Sequence, residues 1–354
     1  MITRSVASVD SLTWQEQLAG SIRDPKELLH FLKLDSLELD SPELNSPELE
    51  TPGTESLLGQ ALAASQDFQL RVPMAYLQRI VKGDINDPLL LQILPLKEEL
   101  SGAPGYTADP LDEQTANPIP GLIHKYHGRV LLIVSPNCAI NCRYCFRRHF
   151  PYQNNKPGRN EWQQALDYIA GDDSITEVIY SGGDPLAASD KQLLWLTEEI
   201  AQISHVKRLR VHTRLPIVIP DRITDHCLHW LTSTDLLTSL VIHSNHPNEL
   251  DHHVEAALKK LSNAGVTLLN QTVLLSGIND SVETLQALSE KLFQVGVLPY
   301  YLHLLDKVKG AAHFEVSDQL AKQLLTELMA RLPGYLVPKL VREMPDHPNK
   351  VPLI

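Results

Sequence analysis

Residues 129–145 read RVLLIVSPNCAINCRYC. The run Arg129–Ser135 is apolar and β-branched, which predicts a buried strand. Directly after it, Ser-Pro-Asn opens into three cysteines, Cys138, Cys142 and Cys145, spaced C-x3-C-x2-C. Similar runs recur downstream: EVIYSGG (177–183), RLRVHTR (208–214), SLVIHSN (239–245), VTLLNQTVLL (266–275) and VLPYYLHLLD (297–306). Between them lie segments with helical spacing at 160–170, 190–203, 222–233, 248–264 and 281–295. Strand and helix in alternation predict βαβ units around a parallel sheet, an α/β fold. Six repeats predict a partial (β/α)6 barrel, short of the eight-fold closed form. The polar residues that end the runs, Ser181, Arg214, Asn245, Gln271 and Asp306, then fall at the C-terminal rim, where such folds carry their chemistry.

Three thiolates in one loop suit a soft metal centre. They are one ligand short of closing a four-coordinate structural site. An open coordination position for a substrate or cofactor follows. Zinc closed by His149 is the alternative that spacing leaves open. Cys227, alone in a helical segment, reads as a buried unreactive thiol.

Upstream of the barrel, residues 11–33 read as helical, with starts at Ser11 or Thr13 and at Asp24-Pro25. Residues 36–55 form a five-residue near-repeat, SLELD, SPELN, SPELE, TPGTE, in which proline recurs and prevents a helix. Residues 66–100 read as helical with breaks at Pro73 and Asn86-Asp87-Pro88, and 101–121 as loop. This gives a helical segment (1–33), an acidic linker (34–57), a helical extension on the barrel (58–120), the barrel (121–310) and a C-terminal segment (311–354).

The 354 residues carry 31 Lys+Arg against 43 Asp+Glu, a formal charge of −12. Seven of those acids lie in residues 35–55, which hold no Lys or Arg; without them 36 acids face 31 bases, a net of −5. Such a balance argues against a general nucleic-acid binder, which needs a basic face. No run of about 18 apolar residues is present to span a membrane. The N-terminus lacks a signal-peptide core, and four cysteines do not make a disulfide scaffold, so the expected location is the cytoplasm.

The C-x3-C-x2-C loop after the first barrel strand, with Ser181-Gly182-Gly183-Asp184-Pro185 ending the second, resembles the radical S-adenosylmethionine (SAM) superfamily. Closer motifs resemble its lysine 2,3-aminomutase family: Pro120–Tyr126, Cys145–Phe150, Asn245–Glu249, Gly310–Phe314 and Pro333–Pro338. The likeness runs from about residue 68 to the C-terminus and is strongest to the shorter bacterial branch, which makes (R)-β-lysine for modification of translation elongation factor P. The Pro-Glu-Leu tract is an insertion relative to that branch.

The resemblance implies a partial TIM-like barrel of the radical SAM type with an N-terminal helical extension. It implies a [4Fe–4S] cluster on Cys138, Cys142 and Cys145, SAM on its open iron, and pyridoxal 5′-phosphate (PLP). Gly182, Gly183 and Asp184 match the glycine-rich strand end that meets SAM, and His243, Asn245, His246 and Gln271 are further candidate SAM contacts, with His212 and His303 also on the rim. Lys350 matches the PLP lysine, although the glycines that precede it in the longer aminomutases are missing; Lys339 is the fallback. Outside the family match, Lys350 would read as a solvated tail lysine. Lys125, Tyr126 and Arg129 match the PLP phosphate and ring contacts. Arg147 matches the arginine for the substrate carboxylate, and Asp306 and Glu343 the two acids for the ε-ammonium of L-lysine, with glutamate at the second position where the longer enzymes have aspartate. The implied partners are a flavodoxin- or ferredoxin-type electron donor and the elongation factor P lysyl-ligase pathway, and a homo-oligomer fits the family. Alternatives are a 2,3-aminomutase releasing free β-lysine or acting on another amino acid, and, in a different class, a non-catalytic zinc or iron–sulfur protein.

Overall fold

The structure, a computed structural model, describes residues 12–35, 56–155, 158–345 and 347–353. The expected linker at 36–55 lies outside the described residues.

The six expected strands are present as β2 (Arg129–Ser135), β3 (Glu177–Gly182), β4 (Arg208–Thr213), β5 (Leu237–Ile242), β6 (Thr267–Val273) and β7 (Leu298–His303). They pair in parallel and in chain order. The sheet does not stop at six. A seventh parallel strand, β8 (Lys339–Arg342), pairs with β7, and antiparallel strands β1 (Leu122–Tyr126) and β9 (Val351–Pro352) flank the array. The order is β1 through β9 without a crossover, so β1 and β9 are the two edges. This is a partial TIM-type barrel whose curved sheet has not closed on itself.

Helices α1 (Trp14–Ala19), α2 (Pro25–Phe31), α3 (Leu57–Asp67) and α4 (Met74–Leu77) precede the sheet. Helices α5 (Arg159–Ala170), α6 (Asp190–Ala201), α7 (Leu215–Val218), α8 (Asp225–Thr232), α9 (His252–Asn263), α10 (Val282–Gln294) and α11 (Asp318–Arg331) alternate with the strands. Their starts follow side-chain caps: the Ser189, Thr224, Asp251, Ser281 and Ser317 oxygens accept from backbone amides of the first turn. Each long helix buries one stripe, as α9 does with Val254, Ala257, Leu258 and Leu261. Trp230 and Tyr180 are fully buried in the same core.

At the N-terminus, Thr13 closes a capping box with Glu16, and Asp24 caps α2 with Pro25 at its first position. The helical reading of 66–100 is corrected. That stretch holds α4 and a short 3₁₀ turn (Lys97–Leu100), while the longer helix lies earlier, starting at Leu57. The reason is Asp87. Its buried carboxylate accepts from the Val81, Leu89 and Leu90 amides, so a side chain takes bonds that a helix would have made.

The extension is fastened to the cysteine loop by one buried acid. Glu99 accepts from Arg143 Nε at 2.8 Å and Nη2 at 2.6 Å, and from Arg148 Nη2 at 2.8 Å. All three side chains are within 1% of full burial. Arg143 and Arg148 flank Cys145, so the extension sets the path of the loop. Glu99→Ala would leave two buried guanidinium groups without their carboxylate. It is expected to cost about 3–5 kcal/mol of stability, read from the urea unfolding midpoint; an unmoved midpoint would show that the extension does not hold the loop.

Candidate active site

One cavity of about 1490 Å³ runs along the inner face of the sheet. Small-ligand pockets hold about 300–1,000 Å³, so this one has room for more than a single small molecule. It is lined by Cys138, Cys142 and Cys145, by Gly182, Gly183 and Asp184, and by Lys125, Tyr126, Arg129, Arg147, His243, Asn245, Gln271, Asp306, Glu343 and Lys350. His246 is not part of the wall; its Nδ1 accepts from the Asn248 amide and caps a 3₁₀ turn. Gln271 sits within β6 rather than at its end, and its amide meets His243 Nε2 at 2.9 Å.

The end of β3 carries the cysteine loop. Gly183 N donates to Ser135 O and Asp184 N to Asn137 O, each at 2.8 Å. A Cβ on Gly183 would stand 2.7 Å from Asn137 O, and one on Gly182 2.7 Å from Ser135 O; Gly182 also has φ +117°. Only glycine permits that approach. The Asp184 carboxylate accepts from Leu186 N, Thr213 Oγ1, Arg214 N and Leu215 N, which ties β3 to the end of β4. Burial nevertheless raises its pKa to about 6.

The three thiols share a buried environment. Burial and mutual repulsion push Cys138 well up, and burial followed by the Cys142 charge takes Cys145 to about 11. Cys142 Sγ accepts from Arg214 Nη1 at 2.6 Å. Arg214 is itself held by Gln92 Oε1, Glu249 Oε2 and Tyr144 OH. Among the described residues no three His, Cys, Asp or Glu side chains gather into one metal-ion shell. A single zinc ion needs its thiolates about 2.3 Å from one point, and His149, its proposed fourth ligand, instead meets the Lys309 carbonyl. An iron–sulfur cluster spreads its cysteines over different irons, so a set of soft thiols lining one wall fits it better than it fits zinc.

Arg147 is buried, and its fork is already engaged. Nε and Nη2 donate to the two Glu113 oxygens at 2.7 Å, and Nη1 to Ser181 Oγ at 3.1 Å. Burial alone would lower its pKa; the Glu113 charge more than offsets that and raises it. Glu113, Glu249, Gln92 and Tyr144 were not legible as site residues in the sequence. Glu113 and Gln92 come from irregular segments, where no periodicity marks an inward-facing side chain.

At the far wall, Glu343 Oε1 accepts from Lys125 Nζ at 3.0 Å and Oε2 from Lys350 Nζ. Burial would raise the Glu343 pKa, but the two lysines hold it well below the usual range. Lys125 also donates to Leu111 O. Asp306 lies beside this group with no side-chain hydrogen bond or ion pair among the described residues. Burial, then the Glu343 charge, raises its pKa to about 7, against the opposing charge of Lys350. Arg129 stacks on Tyr126 at 4.6 Å and makes no ion pair among the described residues, which leaves a cation for an anionic ligand. His243 is driven to about 3 by burial, and His212 and His303 well below their ordinary value, so all three are neutral at pH 7. Lys339, at the start of β8, is exposed. A primary amine at Lys350 with free and shared cations nearby fits PLP by its donor chemistry.

The sequence profile of the radical SAM superfamily matches residues 132–288. An L-lysine 2,3-aminomutase of Escherichia coli (strain K12) is 49% identical over 340 residues, covering 96% of this chain and 94% of that protein. One of Haemophilus influenzae (strain Rd) is 49% identical over 337 residues, 95% of this chain and 94% of its own. One of Clostridium subterminale is 36% identical over 290 residues, 82% of this chain and 70% of its own.

Gly183→Ala places a methyl group against backbone atoms that cannot yield. It is expected to cost about 1–3 kcal/mol and to reduce the iron retained per chain after anaerobic reconstitution. Gly102→Ala, with nothing within 4 Å of its Cβ, is the control that should change neither.

Proposed function

The chain belongs to the radical SAM lysine 2,3-aminomutase family, an isomerase class, and on that premise we propose that it converts L-α-lysine to (R)-β-lysine with a [4Fe–4S] cluster, SAM and PLP. The observation that carries the reading is the cavity itself, which brings three thiols, an arginine, an unpaired acid and the Lys350 amine to one wall-lined space from distant parts of the chain.

Bound together, the cluster and SAM would supply a hydrogen-abstracting radical, and PLP would hold the migrating amino group. The protein's own contribution is placement. Cys138, Cys142 and Cys145 hold the cluster. The Gly182-Gly183 backbone, with Asn245, His243 and Gln271, lines the SAM side, while His246 is left out because it lies off the wall. Lys350 provides the amine for PLP, with Lys125, Tyr126 and Arg129 toward its phosphate and ring. Arg147 presents a positive charge to the substrate carboxylate, through the N–H that Glu113, Ser181 and the Gly182 carbonyl leave over. Asp306 and Glu343 face the ε-ammonium. Negative charge at that end disfavours substrates with acidic side chains. The neutral histidines and apolar barrel wall keep water from the reacting centre.

The motif resemblance, including the helical N-terminus, supports a further role: supplying β-lysine for modification of elongation factor P in the cytoplasm, with a flavodoxin- or ferredoxin-type protein as electron donor. No helix among the described residues is long and apolar enough to cross a membrane.

The test is anaerobically reconstituted protein given L-lysine, SAM and a reductant, with β-lysine enantiomers resolved. (R)-β-Lysine is the expected product; none at all would end the substrate assignment. A pH profile adds a second check. The ε-ammonium binds the ionised form of Asp306, whose pKa is raised to about 7 by burial and Glu343, with Glu113 adding to the rise and Lys350 and Lys125 opposing it. As pH falls below about 7, the carboxylate protonates, and kcat/KM for lysine should drop toward tenfold per unit. Asp306→Asn should have low kcat/KM without that slope; an unchanged slope would assign it to another group.

A further inference from the structure

Two arginines meet the cysteine loop from outside the barrel. Arg71 O accepts from Asn141 N, between Cys138 and Cys142 in the chain, at 2.9 Å. Asn141 Nδ2 donates to Gln69 O at 2.8 Å. The next residue, Val72, pairs with Ile22, which brings Arg23 to the same place. Arg23, Gln69, Arg71, Asn137 and Cys138 all line the cavity, and Arg23, Gln69 and Asn137 are exposed, so this is a mouth beside the thiols.

Arg143, Arg147, Arg148 and Arg214, the other arginines around the cysteines, are each paired with an acid. Arg23 and Arg71 form no ion pair among the described residues. Arg71 donates to Leu18 O at 3.4 Å and keeps a buried Nε without a partner. The charges that act on it are those of Arg23 and Cys138, with no carboxylate among them. Asp24, next to Arg23, is engaged by the Lys26 amide at the start of α2. A positive mouth does not suit the entry of L-lysine or SAM, each of which carries a net positive charge at pH 7. It suits an anion arriving at the cluster side. The chain as a whole stands at −12, so an acidic protein is repelled at long range and attracted only where cations stand unpaired.

We propose that Arg23 and Arg71 form the docking surface for an acidic one-electron carrier protein, seated over the Cys138 side of the cluster. The inference rests on the functional reading above, and it gives the N-terminal helical segment a part in the chemistry. Electron transfer weakens steeply with distance, and Arg71 lies against the loop that holds the cluster. The carrier is oxidised by one electron and the cluster is reduced by the same electron; no bond forms or breaks.

The probe is flavodoxin, read in the downhill direction because one contact serves both. Reconstituted protein whose cluster has been reduced with light and deazariboflavin is mixed anaerobically with flavodoxin semiquinone. Loss of the semiquinone absorbance gives a second-order rate that involves no turnover. Arg23→Glu and Arg71→Gln should each slow it about tenfold at about 0.01 M salt, where charges act over ~30 Å. The difference should shrink to within about twofold at about 1 M salt, where they act over ~3 Å. Oxidation of the same clusters by free riboflavin, small and uncharged, should stay within about twofold of wild type. Flavodoxin rates that do not change at low salt, or an equal slowing with riboflavin, overturn the inference. So does an Arg71→Gln protein that loses calorimetric affinity for SAM, which would place that arginine in the SAM site. Should Arg71→Gln fail to hold its cluster, Arg23→Glu, at an exposed position, decides by the same rates. Wild-type protein that assembles no cluster, or makes no β-lysine with a chemical reductant, would sink the functional reading itself. That result is distinct from an active enzyme whose exchange with flavodoxin ignores both arginines.

Discussion

The curved sheet, seven parallel strands with an antiparallel strand at each edge, does not close on itself, and the site is built along its inner face. A closed eight-stranded barrel fills its interior with packed side chains. Here the interior stays open as a cavity of about 1490 Å³. The polar groups that would otherwise meet solvent through the opening are drawn inward by ion pairs. Glu343 is central to this because its two oxygens engage a lysine beside each edge. Neither β1 nor β9 pairs with the other, so the side chains do at the gap what backbone hydrogen bonds do elsewhere in the sheet.

The cysteine end of the cavity follows a different rule. Around the cysteines, charges are buried but each has a partner: Arg143 and Arg148 with Glu99, Arg147 with Glu113, Arg214 with Glu249. A buried charge left alone is costly, and a fully bonded network fixes its members in one arrangement. The extension supplies Gln92, Glu99 and Glu113 to these networks. It is therefore a wall of the site as well as a cover for the barrel, and the family profile, which begins at residue 132, leaves it out.

Much of this was legible in the sequence. The apolar runs at 129–135 and 177–183 marked β2 and β3 to within a residue, because a buried parallel strand is apolar almost throughout. The cysteine spacing and the Gly-Gly-Asp strand end pointed to one loop, and glycine proved necessary there for close backbone approach. Other features were hidden. β8 is four residues long and lacks the apolar length of its neighbours, so it read as tail. Asp87 looked like a break between helices, but its carboxylate organises a run of turns. Glu113 sits among prolines and acids that read as solvated loop; only the fold reveals that it faces Arg147. Glu343 was picked out by resemblance, yet that both its oxygens are spent on lysines is a property of the assembled edges.

The sequential strand order has a kinetic side. Almost every backbone pairing in the sheet joins strands adjacent in the chain, so the barrel can wind up through short-range steps with small loop-closure costs. The Lys125–Glu343 contact is of the opposite kind, spanning 218 residues, as are Tyr106–Glu315 across 209 and Gln17–Asp221 across 204. Such contacts can form only after the intervening strands are in place. The thiol loop has near partners, such as Gly183 N on Ser135 O, but distant ones as well: Arg148 reaches the Gly310 carbonyl across 162 residues. Both ends of the cavity therefore reach their final geometry only once segments from the whole length of the chain have been gathered in.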